Sequence, residues 1–221
     1  MAIQKKFLKS SETLASFDWV DLASGTGFVV YKGGTGISGA STFLSNNDFY
    51  SNTIESLATG TGTTATKEFD LDFDLSAFNL PQTIRGTAIV TVPMGIRGES
   101  AGGKTYNMYY IAKIRKWNGT TETEVASATS DTHSQVIADD ARVGMTKTVQ
   151  ITVPATHFKK GEVLRLTIEG WAWASAGSDS DYAIGHDPKD RNVAEIVDTD
   201  NVIPDTTPTI LEFHVPYKVD L

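Results

Sequence analysis

Val149-Gln150-Ile151-Thr152-Val153-Pro154 alternates apolar and polar side chains and closes on a Val-Pro pair. The same signature recurs in Ile89-Val90-Thr91-Val92-Pro93 and in Ile210-Leu211-Glu212-Phe213-His214-Val215-Pro216. A side-chain period of two puts one row of such a segment on a core and the other toward water. Proline has no N–H to give to a sheet ladder, so each Val-Pro is expected to mark a strand end. The chain therefore reads as antiparallel β structure.

The surrounding segments agree. Phe69-Asp70-Leu71-Asp72-Phe73-Asp74-Leu75 alternates without a break, apolar residues on one side and carboxylates on the other. Residues 83–92 form a second strand. Residues 106–117 form a third, with Tyr106, Met108, Tyr110, Ala112 and Ile114 on one side. Asn118-Gly119 then suits a tight type I′ turn, so residues 106–128 read as a hairpin. Residues 146–153 and 162–173 read as another paired unit joined through Lys159-Lys160-Gly161. About eight strands and no long helix suggest a β-sandwich of jelly-roll type. Residues 41–221 are assigned to that domain. Residues 1–40 are assigned to an N-terminal arm packing on the domain or on a neighbouring subunit. The polar stretch from Ser175 to Thr207 reads as a long loop, a feature uncommon without a purpose.

Composition narrows the function classes. In 221 residues the formal charge is −8, which disfavours a general nucleic-acid partner because phosphates call for clustered Lys and Arg. There is no cysteine, which excludes disulfides, thiolate metal sites and thiol catalysis. Lys5, Lys6 and Lys9 make a basic start, but Ser10-Ser11-Glu12-Thr13 interrupts any apolar run of the signal-peptide kind. Nor is there an apolar stretch of membrane-spanning length, so no membrane contact and synthesis in the cytoplasm are expected.

Chemistry-bearing residues are weighed against plainer roles. Asp70, Asp72 and Asp74 share a strand face, as a glycosidase carboxylate pair would, but open-face carboxylates are ordinarily solvated. Asp179, Asp181, Asp187 and Asp190 offer oxygens for a structural calcium ion, although the EF-hand spacing and its closing Glu are missing. His133, His157, His186 and His214 are scattered and show no metal-ligand spacing. No Gly-x-Ser-x-Gly elbow occurs, and Gly33-Gly34-Thr35-Gly36 lacks the Lys of a phosphate loop. Trp171 and Trp173 share one strand face and are candidates for stacking on a sugar ring, with Tyr182 close in sequence. Beyond calcium no cofactor is expected.

Several segments together resemble virion structural proteins of tailed phages, marine phages above all. They are the opening Met1-Ala2-Ile3-Gln4-Lys5-Lys6-Phe7-Leu8-Lys9, residues 109–120, residues 153–169, Gly185-His186-Asp187-Pro188 and residues 213–221. The resemblance implies a non-enzymatic head decoration or minor capsid subunit, placed in a virion assembled in the host cytoplasm. It also implies homo-oligomers such as trimers, in contact with other capsid proteins. Phe7, Leu8, Phe17, Trp19, Tyr182 and His186 are the expected interface residues. The competing expectations are a carbohydrate- or receptor-binding sandwich using Trp171, Trp173 and Tyr182 and, more distantly, a glycan hydrolase.

Overall fold

Phe69 and Phe73 turn into the core while Asp70 stays exposed and Asp72 and Asp74 are half-buried, as the alternation around them demands. The structure, a computed structural model, describes residues 26–36, 41–60, 62–99, 103–176, 180–194 and 201–218. Within them run β1 (Thr26–Thr35), β2 (Thr42–Ser45), β3 (Glu55–Gly60), β4 (Thr66–Asp74), β5 (Gln82–Gly98) and β6 (Lys104–Trp117). There follow β7 (Glu122–Thr129), β8 (His133–Ile137), β9 (Arg142–Phe158), β10 (Val163–Ala174), β11 (Ser180–Gly185), one helical turn α1 (Arg191–Ala194) and β12 (Leu211–Lys218). The architecture is all-β, one large mixed sheet in the order β3-β11-β5-β12-β1-β2-β4-β10-β6-β7.

Two long strands organise the sheet. β9 lies along one side of β5, and β12 and β11 share the other side end to end. β6 repeats the scheme, with β10 along one side and β7 and β8 sharing the other. Among the described residues one pair, Phe43 opposite Asp74 between β2 and β4, is parallel. The sheet folds over so that its halves face each other. From the inward side of β6, the Tyr110 hydroxyl reaches the carbonyls of Val90 and Lys147 on β5 and β9, both at 3.0 Å. Phe73, Phe158, Phe213, Met94, Ile96, Met108 and Ile114 fill the space between and are fully buried. Each such side chain contributes about 1.5–3 kcal/mol by leaving water.

Several expectations need correction. No Val-Pro pair ends its strand: β5, β9 and β12 run past Pro93, Pro154 and Pro216 to Gly98, Phe158 and Lys218. The prolines sit instead where a ladder is interrupted. Pro93 falls between Thr91, which pairs with β12, and Met94, where pairing with β11 begins along the same edge. Pro154 and Pro216 coincide with register shifts in the stretch of β5 that includes Arg85 and Gly86. Gly86 takes a φ of +122°, which glycine alone adopts readily, and an added Cβ would lie 3.4 Å from Pro216. A missing donor needs a break in the ladder, and a break need not be an end.

Residues 146–174 are not a paired unit. β9 pairs with β5 and β10 with β4 and β6, so the Lys159–Glu162 turn carries the chain from one layer to the other. The hairpin over 106–128 forms, but its loop is four residues, with the Asn118 side chain accepting from the N–H groups of Thr120 and Thr121. Of the expected N-terminal extension, Thr26 to Thr35 form β1, which packs on the domain between β12 on one side and β2 on the other. The stretch from Ser175 to Thr207 is not all loop either, since it contains β11, held between β3 and β5.

Candidate functional site

The outward side of β4, β10, β6 and their neighbours is where polar chemistry concentrates, and it divides in two. Alternation along β10 sends Leu164, Leu166 and Ile168 inward and Arg165, Thr167, Glu169, Trp171 and Trp173 outward. Register then sets their neighbours across the strands.

The first half is ionic. The Arg165 guanidinium donates to both oxygens of Asp74 at 2.6 and 2.8 Å, to Asp72 at 3.1 Å and to Glu122 at 2.9 Å. Arg115 reaches Glu122 at 2.7 Å, and the indole of Trp117 lies 5.5 Å from Arg165. Lys113 donates to Glu169 at 2.9 Å, and Lys67 to Asp70 at 2.6 Å and Glu169 at 3.5 Å. Burial works against the Glu169 carboxylate, but the Lys113 hydrogen bond and the charges of Lys113 and Lys67 outweigh it and hold its pKa below the usual value. A glycosidase acid needs the opposite shift. Every carboxylate in this half is engaged by a cation, which suits a closed structural lattice.

The second half is aromatic. Trp171 lies opposite Tyr109 across β10 and β6, their rings parallel within 2° and 6.1 Å apart. Trp173 meets Tyr109 edge to face, also at 6.1 Å. All three are half-buried. The Trp171 indole N–H has no acceptor among the described residues. Asn107 stands opposite Trp173, Ser134 opposite Asn107, and Lys67 opposite Trp171. Trp171 and Trp173 are thus where the sequence placed them, on one face. The sequence reading passes over Tyr109, although the period of two that sends Met108 and Tyr110 inward sends Tyr109 outward.

The other expected site residues scatter. Tyr182 and His186 are buried inside this chain, at 1% and 0% exposure, so neither is available to a neighbouring subunit. Phe7, Leu8, Phe17, Trp19 and Asp179 lie outside the described residues. The remaining aspartates of the calcium reading do not converge. Asp181 binds Arg97 and Thr59, Asp187 binds Arg191, and Asp190 accepts from the Thr209 N–H. Among the described residues no three His, Asp or Glu side chains are grouped to hold a metal ion.

Those buried groups instead strap the segment after β11 across the end of the sheet. Asp187, fully buried, takes two hydrogen bonds of 2.9 Å from Arg191, one from Nε and one from the backbone N–H. Glu55 accepts from the N–H groups of Val202 and Ile203, and Asn192 donates to the carbonyls of Ile203, Pro204 and Thr207. Ser56 Oγ lies 2.9 Å from His186 Nε2, a nucleophile-and-base spacing. Burial drives the His186 pKa down to about 4, so its ring is neutral near pH 7. Yet His186 Nδ1 has no partner among the described residues, and the adjacent Asp187 carboxylate is given to Arg191. No acid among the described residues orients the imidazole as a catalytic triad requires, and the pair ties β3 to the end of β11.

No family model matches the sequence, and no curated protein matches it. Among solved structures the chain is similar to a selenomethionine-labelled α-amino acid ester hydrolase, with a TM-score of 0.54, 7% identity, 85% of this chain covered and 36% of that one. A CocE/NonD family hydrolase from Staphylococcus aureus aligns with a TM-score of 0.48 and 10% identity over 88% of this chain and 37% of that one. Infectious bursal disease virus Gx strain aligns at 0.29 and 10% identity over 93% and 52%. The chain thus spans about a third of the length of the hydrolases it matches. The likeness to the ester hydrolase is one of fold. It nevertheless corrects the expectation of a non-enzymatic head decoration or minor capsid subunit, because a named hydrolase carries this fold over most of the chain's length.

Proposed function

We propose that this chain is a β-sandwich module of jelly-roll type that serves a hydrolytic enzyme, holding polymeric substrate on the outward aromatic face of β10 and β6. Holding substrate in this way does not draw on the Ser56–His186 pair, which lacks an orienting acid among the described residues. The observation that carries the reading is the contrast on one sheet face: the carboxylates are paired with cations, while Tyr109, Trp171 and Trp173 pack on one another at one side. The fold likeness to part of an ester hydrolase supports the enzymatic setting. Rigidity supports the binding role. β10 is laddered on both sides, so its rings are held in place before a ligand arrives and little ordering cost remains.

Retention on immobilised polymers (polysaccharides, polyesters and polypeptides) tests it, with Trp173→Ala beside a Leu80→Ser surface control. At least one polymer should retain the chain, and Trp173→Ala should weaken that retention about tenfold or more. Retention of none, or equal retention of both variants, overturns the reading.

A further inference from the structure

We infer that the polymer is a neutral carbohydrate chain, stacked on Trp173 and on the Tyr109–Trp171 pair; this rests on the binding role just proposed. Aromatic rings alone would take many ligands, so the surroundings must select. Trp171 and Trp173 are two residues apart on one strand face, about 7 Å. Trp171 is parallel to Tyr109 and Trp173 steeply inclined to it, so they provide two contact positions for a repeating ligand that twists between them. On the neighbouring strands Asn107 stands opposite Trp173 and Ser134 opposite Asn107, so an amide and a hydroxyl share the outward face with the rings. A sugar ring needs this mixture: its C–H face loses water against an aromatic ring while its hydroxyls find donors and acceptors at the rim.

The alternatives fit less well. An extended peptide gains affinity by adding backbone hydrogen bonds at a sheet edge, but here the backbone of β10 is already bonded to β4 and β6. An acidic polymer, nucleic acid included, needs unspent cations. Lys67 is held by Asp70 and Glu169, and Lys113 by Glu169, inside a chain of formal charge −8. A lipid surface needs a broad apolar patch, and the rings here are rimmed by polar groups.

Isothermal titration of the full chain distinguishes these outcomes, using neutral glucan and xylan oligosaccharides of increasing length and polygalacturonate oligosaccharides as the acidic arm. A neutral hexasaccharide should bind about tenfold or more tightly than the disaccharide, because two stacking positions are filled together. Trp173→Ala and Tyr109→Ala should each cost about tenfold, and Trp173→Tyr should restore most of the affinity. Thermal melts of each variant separate lost binding from lost folding. Acidic oligosaccharides bound as tightly as neutral ones overturn the inference while leaving the binding role intact. So does Trp173-dependent retention of a polymer that is not a carbohydrate. If no polymer depends on Trp173, both fall.

Discussion

Asp74 and Asp187 are each gripped by an arginine, at 2.6 Å from Arg165 and 2.9 Å from Arg191 respectively, yet the two regions differ in what those bonds are worth. Asp74 keeps 39% of its side chain exposed on the outward sheet face, whereas Asp187 keeps none. Water competes for the first pair and screens it. The second has only the protein to replace its hydration, so its partners are obligatory. The lesson is that an exposed ion pair such as Asp74–Arg165 can be altered cheaply, while the buried Asp187–Arg191 pair beyond β11 cannot.

The largest effect that would break this contrast concerns the buried pair. Asp187→Ala should lower the unfolding free energy by about 3–5 kcal/mol, because it takes the carboxylate from the Arg191 charge and the acceptor from two backbone N–H groups. Urea titration of the variant against the parent measures it, and a loss below about 1 kcal/mol would make the strap no different from the surface.

The second effect is pH dependence. His186 is neutral in the fold with its pKa down to about 4, against about 6.5 in the unfolded chain. The unfolded chain therefore binds the proton first as acid is added. The stability is complete above about pH 6.5 and declines as pH falls toward 4, by roughly 3 kcal/mol. Glu55, whose pKa burial raises above the usual carboxylate value, contributes with the opposite sign, because its protonated form is the one the fold prefers. The difference between the parent and His186→Gln, followed by thermal melts from pH 7 to 4, isolates the histidine. An unchanged slope in the variant would show that His186 is not the group responsible.

A third test sharpens the role of the core between the layers. A Cβ at Gly170 would sit 2.6 Å from a Phe69 ring carbon and 3.0 Å from Ile184. Gly170→Ala should cost about 1–3 kcal/mol by overpacking, while the exposed Leu80→Ser should change melting by little. The smallest expected effect completes the comparison. Asp74→Ala should cost no more than about 1 kcal/mol, and that cost should shrink in high salt. A salt-independent loss of several kcal/mol would place the outward lattice among the obligatory contacts after all.

Much of this arrangement is legible before folding. The alternation in Phe69 to Leu75 and in Leu164 to Ile168 correctly assigns the core and solvent sides of β4 and β10. Trp171 and Trp173 fall together on the outward side, as the same period requires. β11 escapes because nearly all of its residues are buried, so its Tyr182-Ala183-Ile184 run shows no alternation among the surrounding Ser, Asp and Gly. The aspartates near it look like ion ligands because composition does not reveal that Arg191, Arg97 and backbone N–H groups consume their oxygens. Tyr109 becomes part of the aromatic site only through its cross-strand register with Trp171, a relation between residues far apart in the chain.

Residue order alone decides which side of each strand meets water, because side-chain polarity is local and its period of two is read directly. The folded chain alone decides which strands lie together: that β9 leaves β10 for β5, and that proline marks a break and not an end. Backbone N–H and C=O groups are the same at nearly every position, so ladders carry no address of their own. Partners are chosen by how the inward side chains of distant segments fill one shared core.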